Sequence, residues 1–221
     1  GVNNSTSNQS KENDMFRQKL DATYEIKLDT TSTLKVSIDG TLRNSNTFSD
    51  FNSNSTRADS ILNTSKRTLS NESNEQAFNM NALFTKRLKK KGRTLSINLN
   101  QSFSKNDSEG YLNSDNKYFI PTARVEVIDQ YKVNNVSDKA FRSNVAYTEP
   151  FSETFSVILN YGLSLMNGTS DRKSFNKSGA GAYDILDTVF SNNYELDQII
   201  NKGGAIFSYK KGKYIILNLV T

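Results

Sequence analysis

Five stretches of this chain alternate apolar and polar residues with a period of two. No other feature constrains the fold as much. Leu20, Ala22, Tyr24, Ile26 and Leu28 share one parity, and Asp21, Thr23, Glu25 and Lys27 the other. The same holds for Leu34, Val36, Ile38, Gly40 and Leu42, for Phe78, Met80, Ala82 and Phe84, and for Leu95, Ile97, Leu99, Gln101 and Phe103. The fifth run is Phe155, Val157, Leu159, Tyr161, Leu163 and Leu165. Across the five, 23 of 25 positions on the first parity are apolar and only 2 of 21 on the second. A helix would need apolar residues at i+3 and i+7 as well as at i+4, and those odd offsets are polar here, so the period predicts β-strands with one greasy and one wet face. Weaker alternation around Phe141–Tyr147, Ala205–Tyr209 and Ile215–Leu219 adds three more. The expected strands span about 17–28, 34–43, 77–88, 94–104, 140–148, 154–166, 203–209 and 214–221, within one segment covering 1–221, with residues 1–14 read as a polar loop.

The expected connections alternate in length. Asp29–Thr33, Lys89–Arg93, Glu149–Thr154 and Lys210–Lys213 are hairpin-sized. Asn44–Gln76, Lys105–Ala140 and Asn167–Lys202 are long. Compact soluble domains seldom carry structureless loops beyond about 15 residues. Two architectures give each strand one apolar face. A β-sandwich packs that face on a second sheet; a transmembrane β-barrel turns it to lipid. The runs match the ~10 residues a tilted strand needs to cross a bilayer. Short turns at one end and long loops at the other suit an outer-membrane barrel, as do Lys, Asp, Glu and Arg on the wet face. Phe78, Phe84, Phe103, Tyr147 and Phe155 stand where interfacial girdles belong. The expectation is an all-β, antiparallel up-and-down transmembrane barrel with short periplasmic turns and long extracellular loops. A secreted or surface-attached sandwich binding glycan or protein is the alternative.

Composition narrows the chemistry. The chain has 221 residues, no Cys, no His and no Trp, and a net charge of +5. Disulfides, thiolate metal sites and His-dependent catalysis are therefore excluded within it. A mean hydropathy of −0.64, with Asn and Ser making up roughly a quarter of the residues, would suggest disorder in a soluble chain. In a barrel wall only alternate residues need be apolar. No run approaches the ~20 apolar residues of a membrane helix. The polar start, Gly1–Asp14, carries no secretory signal, so a mature form or an excised piece is expected.

Several stretches together resemble the outer-membrane β-barrel family of TonB-dependent-receptor-like proteins of Bacteroidota. They are Phe84-Thr85-Lys86-Arg87-Leu88 with Lys91–Leu99, then Glu109–Ser114, Ala146–Phe151, Ser191–Leu196 and Gly203–Tyr214. The similarity runs from about Met15 to the end. The resemblance implies a larger parent: a carboxypeptidase-like domain, a plug, and a barrel of about 22 strands. With eight expected strands and no aromatic at its Leu219-Val220-Thr221 end, the chain reads as an internal slice of the wall, although the strand count also admits a complete small barrel. The implied function is nutrient binding and uptake. The implied partners are outer-membrane lipid, the rest of the barrel and its plug, a TonB-type energy-transducing complex, a surface lipoprotein and an unidentified nutrient.

No catalytic, cofactor or metal residue is assigned, and no enzyme activity is expected. A carboxylate-only enzyme such as a glycosidase ranks last, because it needs two carboxylates set together across strands. The basic run Arg87–Arg93 reads as a solvated turn; net charge spread this thinly is no nucleic-acid footprint, and no nucleic-acid partner is expected. Glu149 lacks a partner carboxylate, and Pro150 reads as a strand stop. Asp107, Glu109 and Asp115 read as polar loop, not a Ca²⁺ site. Ala180-Gly181-Ala182 and Gly203-Gly204 form no phosphate-binding motif, and the Asn-x-Ser/Thr triplets at Asn63, Asn71 and Asn167 are expected from composition alone.

Overall fold

The computed structural model describes residues 3–58, 60–211 and 214–220. Every regular element among them is a strand: β1 (Asn3–Lys27), β2 (Ser32–Arg57), β3 (Ser60–Arg87), β4 (Thr94–Tyr118), β5 (Arg124–Pro150), β6 (Phe155–Lys177), β7 (Tyr183–Leu186), β8 (Asn192–Lys211) and β9 (Tyr214–Val220). They form one antiparallel sheet in the order β1-β2-β3-β4-β5-β6-β8-β9, and the short β7 pairs with the outer end of β6. This is the up-and-down architecture that the alternation predicts.

Among the described residues there is no second layer. Ala140 and Val157 are the buried apolar residues, and no large side chain is fully buried. A sandwich would bury its apolar faces against another sheet; these faces are open, so the sandwich alternative fails.

The strands differ from expectation in length. β1 starts at Asn3, so the supposed loop 1–14 is strand from there on. The connections expected at Asn44–Gln76, Lys105–Ala140 and Asn167–Lys202 are mostly ladder. Asp107, Glu109 and Asp115 accordingly lie on β4, not in a loop. The true connections at that end are the tight β2–β3 turn, residues 119–123, and the stretches flanking β7. β2 alone has 26 residues, or roughly 85 Å at about 3.3 Å per residue. The expected Lys210–Lys213 turn and the last residue of the eighth expected strand fall partly outside the described residues: β8 ends at Lys211 and β9 covers Tyr214–Val220.

Asn and Asp are poor strand formers. The hairpins extend because the apolar halves fix the register, and cross-strand bonds continue it. Thr47 Oγ1 donates to Asn13 Oδ1 at 2.8 Å, Ser65 Oγ to Asn116 Oδ1 at 2.6 Å, and Arg57 Nε to Asn3 Oδ1 at 2.7 Å. Such pairs are the unit of sheet stabilisation.

Candidate functional site

The register gathers the apolar parities of β1 to β6 and β8 onto one face, whereas the expected parity of the last strand, Ile215, Leu217 and Leu219, is in register with Lys210, Ser208 and Ile206 on the other. Ile26 lies opposite Leu34, Leu34 opposite Phe84, Phe84 opposite Ile97, Ile97 opposite Val145, and Val145 opposite Tyr161. Two residues on, Tyr24, Val36, Ala82 and Leu99 form the next row. Further along, Gly40 faces Phe78, and Phe78 faces Phe103. On β2 the band spans Leu34–Leu42, and on β6 it spans Phe155–Leu165. Phe155 pairs with Tyr209, rows nearer the short turns than any apolar pair of β1 and β2. The band therefore slides along the strands across the sheet, as tilted and staggered strands require. Leu20, Tyr24, Ile38, Leu42, Phe78, Met80, Leu99 and Leu165 are all exposed on this face. An apolar surface of this extent marks contact with membrane or partner.

The opposite face is wet at the same depth. Asn79 Nδ2 donates to Asp39 Oδ2 at 3.1 Å, and Asn81 Nδ2 to Asn98 Oδ1 at 3.0 Å. Ser73 Oγ donates to Asn106 Oδ1 at 2.8 Å, and Arg43 pairs with Glu75. A concavity of about 490 Å³ here is lined by Asn81, Asn98, Asn100, Arg142, Asn144 and Lys202. These amides and the two cations share the lining with Leu163, Met166 and Ile200, so the concavity offers polar and apolar contacts together.

At the short-turn rim Glu149 is a hub. It accepts from Lys90 Nζ and Arg93 Nη2, each at 2.8 Å, and from Tyr147 Oη at 2.7 Å. The Arg93 and Lys90 bonds, then Tyr147, hold its carboxyl down to about 2. Asp29 caps the neighbouring turn by accepting from Thr31 N at 2.6 Å, Thr31 Oγ1 at 2.7 Å and Ser32 Oγ at 3.0 Å, and these bonds hold it at about 2 as well. Arg87 Nη2 donates to Thr30 O at 2.7 Å and joins the two turns. The basic run of the sequence is thus a rim clamp. Pro150 ends β5 as expected. The hub itself was not legible, because Glu149 and its cations lie more than fifty residues apart in sequence.

At the far end β7 folds back on the hairpins. Gln130 Nε2 donates to Asn176 Oδ1 and to Asp187 Oδ2, both at 2.9 Å, and Asn176 Nδ2 donates to Asp187 at 3.1 Å. The Asn176 bond holds the Asp187 carboxyl below its ordinary range. Tyr183 Oη donates to Asp129 at 2.7 Å, and Lys177 pairs with the same carboxylate.

One face for lipid, one face for water, and strands longer than a bilayer define the wall of a membrane β-barrel. The sequence pattern of the outer membrane protein beta-barrel family matches residues 86–217, more than half of the chain. The chain belongs to that family, and its place is the outer membrane. No curated protein matches it.

Proposed function

We propose that the chain is wall and hairpin from a larger TonB-dependent-receptor-like barrel that binds a nutrient and passes it inward. The observation that carries this reading is the pair of free sheet edges. β1 and β9 each pair on one side only among the described residues, and they do not pair with each other. Lipid offers no partners for backbone N–H and C=O groups, so a wall in a bilayer must be closed by further strands. The polar face then lines a lumen around a plug, the short turns lie in the periplasm, and the long hairpins project outside the cell. An energy-transducing complex of the TonB type and a surface lipoprotein are the partners proposed with it. The wall acts by binding and passage and carries no catalysis of its own.

The test is a blot of fractionated cells with an antibody to this chain, with and without boiling. The expected result is an outer-membrane band much heavier than 24.8 kDa that shifts on heating. A heat-shifting band at the chain's own mass would mean a complete small barrel and would remove the uptake reading.

A further inference from the structure

On the protruding hairpins the lipid-side parity carries a second surface of a different kind. Phe48 lies opposite Ser70, Ser70 opposite Tyr111, Tyr111 opposite Tyr131, and Tyr131 opposite Phe175. The Tyr111 and Tyr131 ring centroids are 5.2 Å apart, and Tyr183 of β7 stands 5.3 Å from Tyr111. This aromatic row starts eight residues beyond Phe103 on β4, about 27 Å along the strand. It stands clear of the apolar band and faces water.

The rings floor a groove of about 370 Å³ lined also by Glu12, Asp14, Glu72 and Glu109. Packing among the rings stabilises the hairpins, yet it leaves Phe48 48% and Tyr111 45% exposed towards the groove. Of the other hairpin carboxylates, Asp107, Asp115, Asp129 and Asp171 pair with Lys105, Lys117, Lys177 and Lys173, while Asp50, Asp184 and Asp187 pair with no cation among the described residues. The four in the groove belong to no ion pair among the described residues. Among the described residues Glu109 is engaged only by the Tyr131 hydroxyl. A negative, aromatic-floored groove on a chain of net charge +5 fits a cation that can also stack. Among the described residues no carboxylate group is set to hold a metal ion.

We propose that this groove docks an arginine-bearing peptide segment. A planar guanidinium lies flat on a tyrosine face while its N–H fork meets carboxylates, which an ammonium does less well. The volume admits one or two such side chains and no folded domain. This inference goes beyond the uptake reading and needs only that the hairpins stand in water.

The experiment uses the full-length protein purified in detergent, its folding checked by the heat shift of its band. A fluorescent tetra-arginine peptide is titrated against it at low and at high salt. The double variant Glu72→Gln with Glu109→Gln should weaken binding by about tenfold or more, and Tyr111→Leu by about threefold. Glu126→Gln, which removes a charge from the opposite face of the same hairpins, should leave binding unchanged. High salt should weaken it. Equal binding by wild type and groove variants, or equal loss in Glu126→Gln, would overturn the site. Spermine binding as tightly as the peptide, with the same dependence on Glu72 and Glu109, would overturn the peptide as its occupant. The mass of the heat-shifting band is read independently, so failure here is separate from failure of the uptake reading.

Discussion

Glu149 and Asp29 show how single carboxylates hold the short-turn rim. Each is kept ionised by donors from its own or a neighbouring turn, and each is lowered to about 2. A folded value below the unfolded one contributes stability above about pH 4 that is lost as pH falls towards about 2. Acidification through that window should therefore lower the temperature at which the barrel's band shifts. Glu149→Gln with Asp29→Asn should flatten this dependence between pH 4.5 and 2, and an unchanged profile would remove the rim clamp from the account. Two glycines matter at the same scale. Gly92 turns the chain with φ +84°, a conformation that costs residues with a Cβ about 1–2 kcal/mol. A Cβ on Gly110 would stand 2.0 Å from Ser70 O, inside the β3 backbone. Gly110→Ala should push β3 and β4 apart at a cost of about 1–3 kcal/mol, read as a lower heat-shift temperature.

The element scale separates the two faces of one strand. On β4 Leu99 points to lipid, and Asn100 points to the wet face. Leu99→Arg should destabilise the barrel by about 2–4 kcal/mol, whereas Asn100→Arg should cost little. Equal effects in urea unfolding from bilayers would contradict the assignment of faces. This scale also shows what could be read from the residues. The alternation of Leu34–Leu42 or Leu95–Phe103 was legible because burial on one side in lipid selects every second residue. The outer halves of the same strands were not. Between Asn44 and Arg57 both faces meet water, so no parity is selected, and Asn, Ser and Thr fall on either side. The strand persists there through register and through bonds such as Thr47 to Asn13, which composition does not reveal. β7 was illegible for another reason. Its Tyr183 is held by Asp129, and Asp187 just past its end is held by Gln130 and Asn176, residues brought together only by the fold.

Over the whole molecule one parity changes solvent along a single strand. On β2 Ile38 and Phe48 share a face, but the first sits in the apolar band and the second in the acidic groove. The same is true of Leu99 and Tyr111 on β4. The chain has no Cys, so single cysteines in the full-length protein, in a background cleared of any others, report each position without interference. Cysteines at Ile38 and Leu99, carrying a fluorophore, should be quenched by nitroxides attached to lipid acyl chains. Cysteines at Ser37 and Asn100, one residue away, should escape that quenching and react with water-borne reagents in the purified protein. Cysteines at Phe48 and Tyr111 should react with a membrane-impermeant maleimide added to intact cells. Quenching of the Phe48 and Tyr111 labels by lipid would instead place the hairpins in the bilayer and leave the groove no access to a peptide. Quenching on both parities of one strand would mean that the sheet is not a wall between lipid and water.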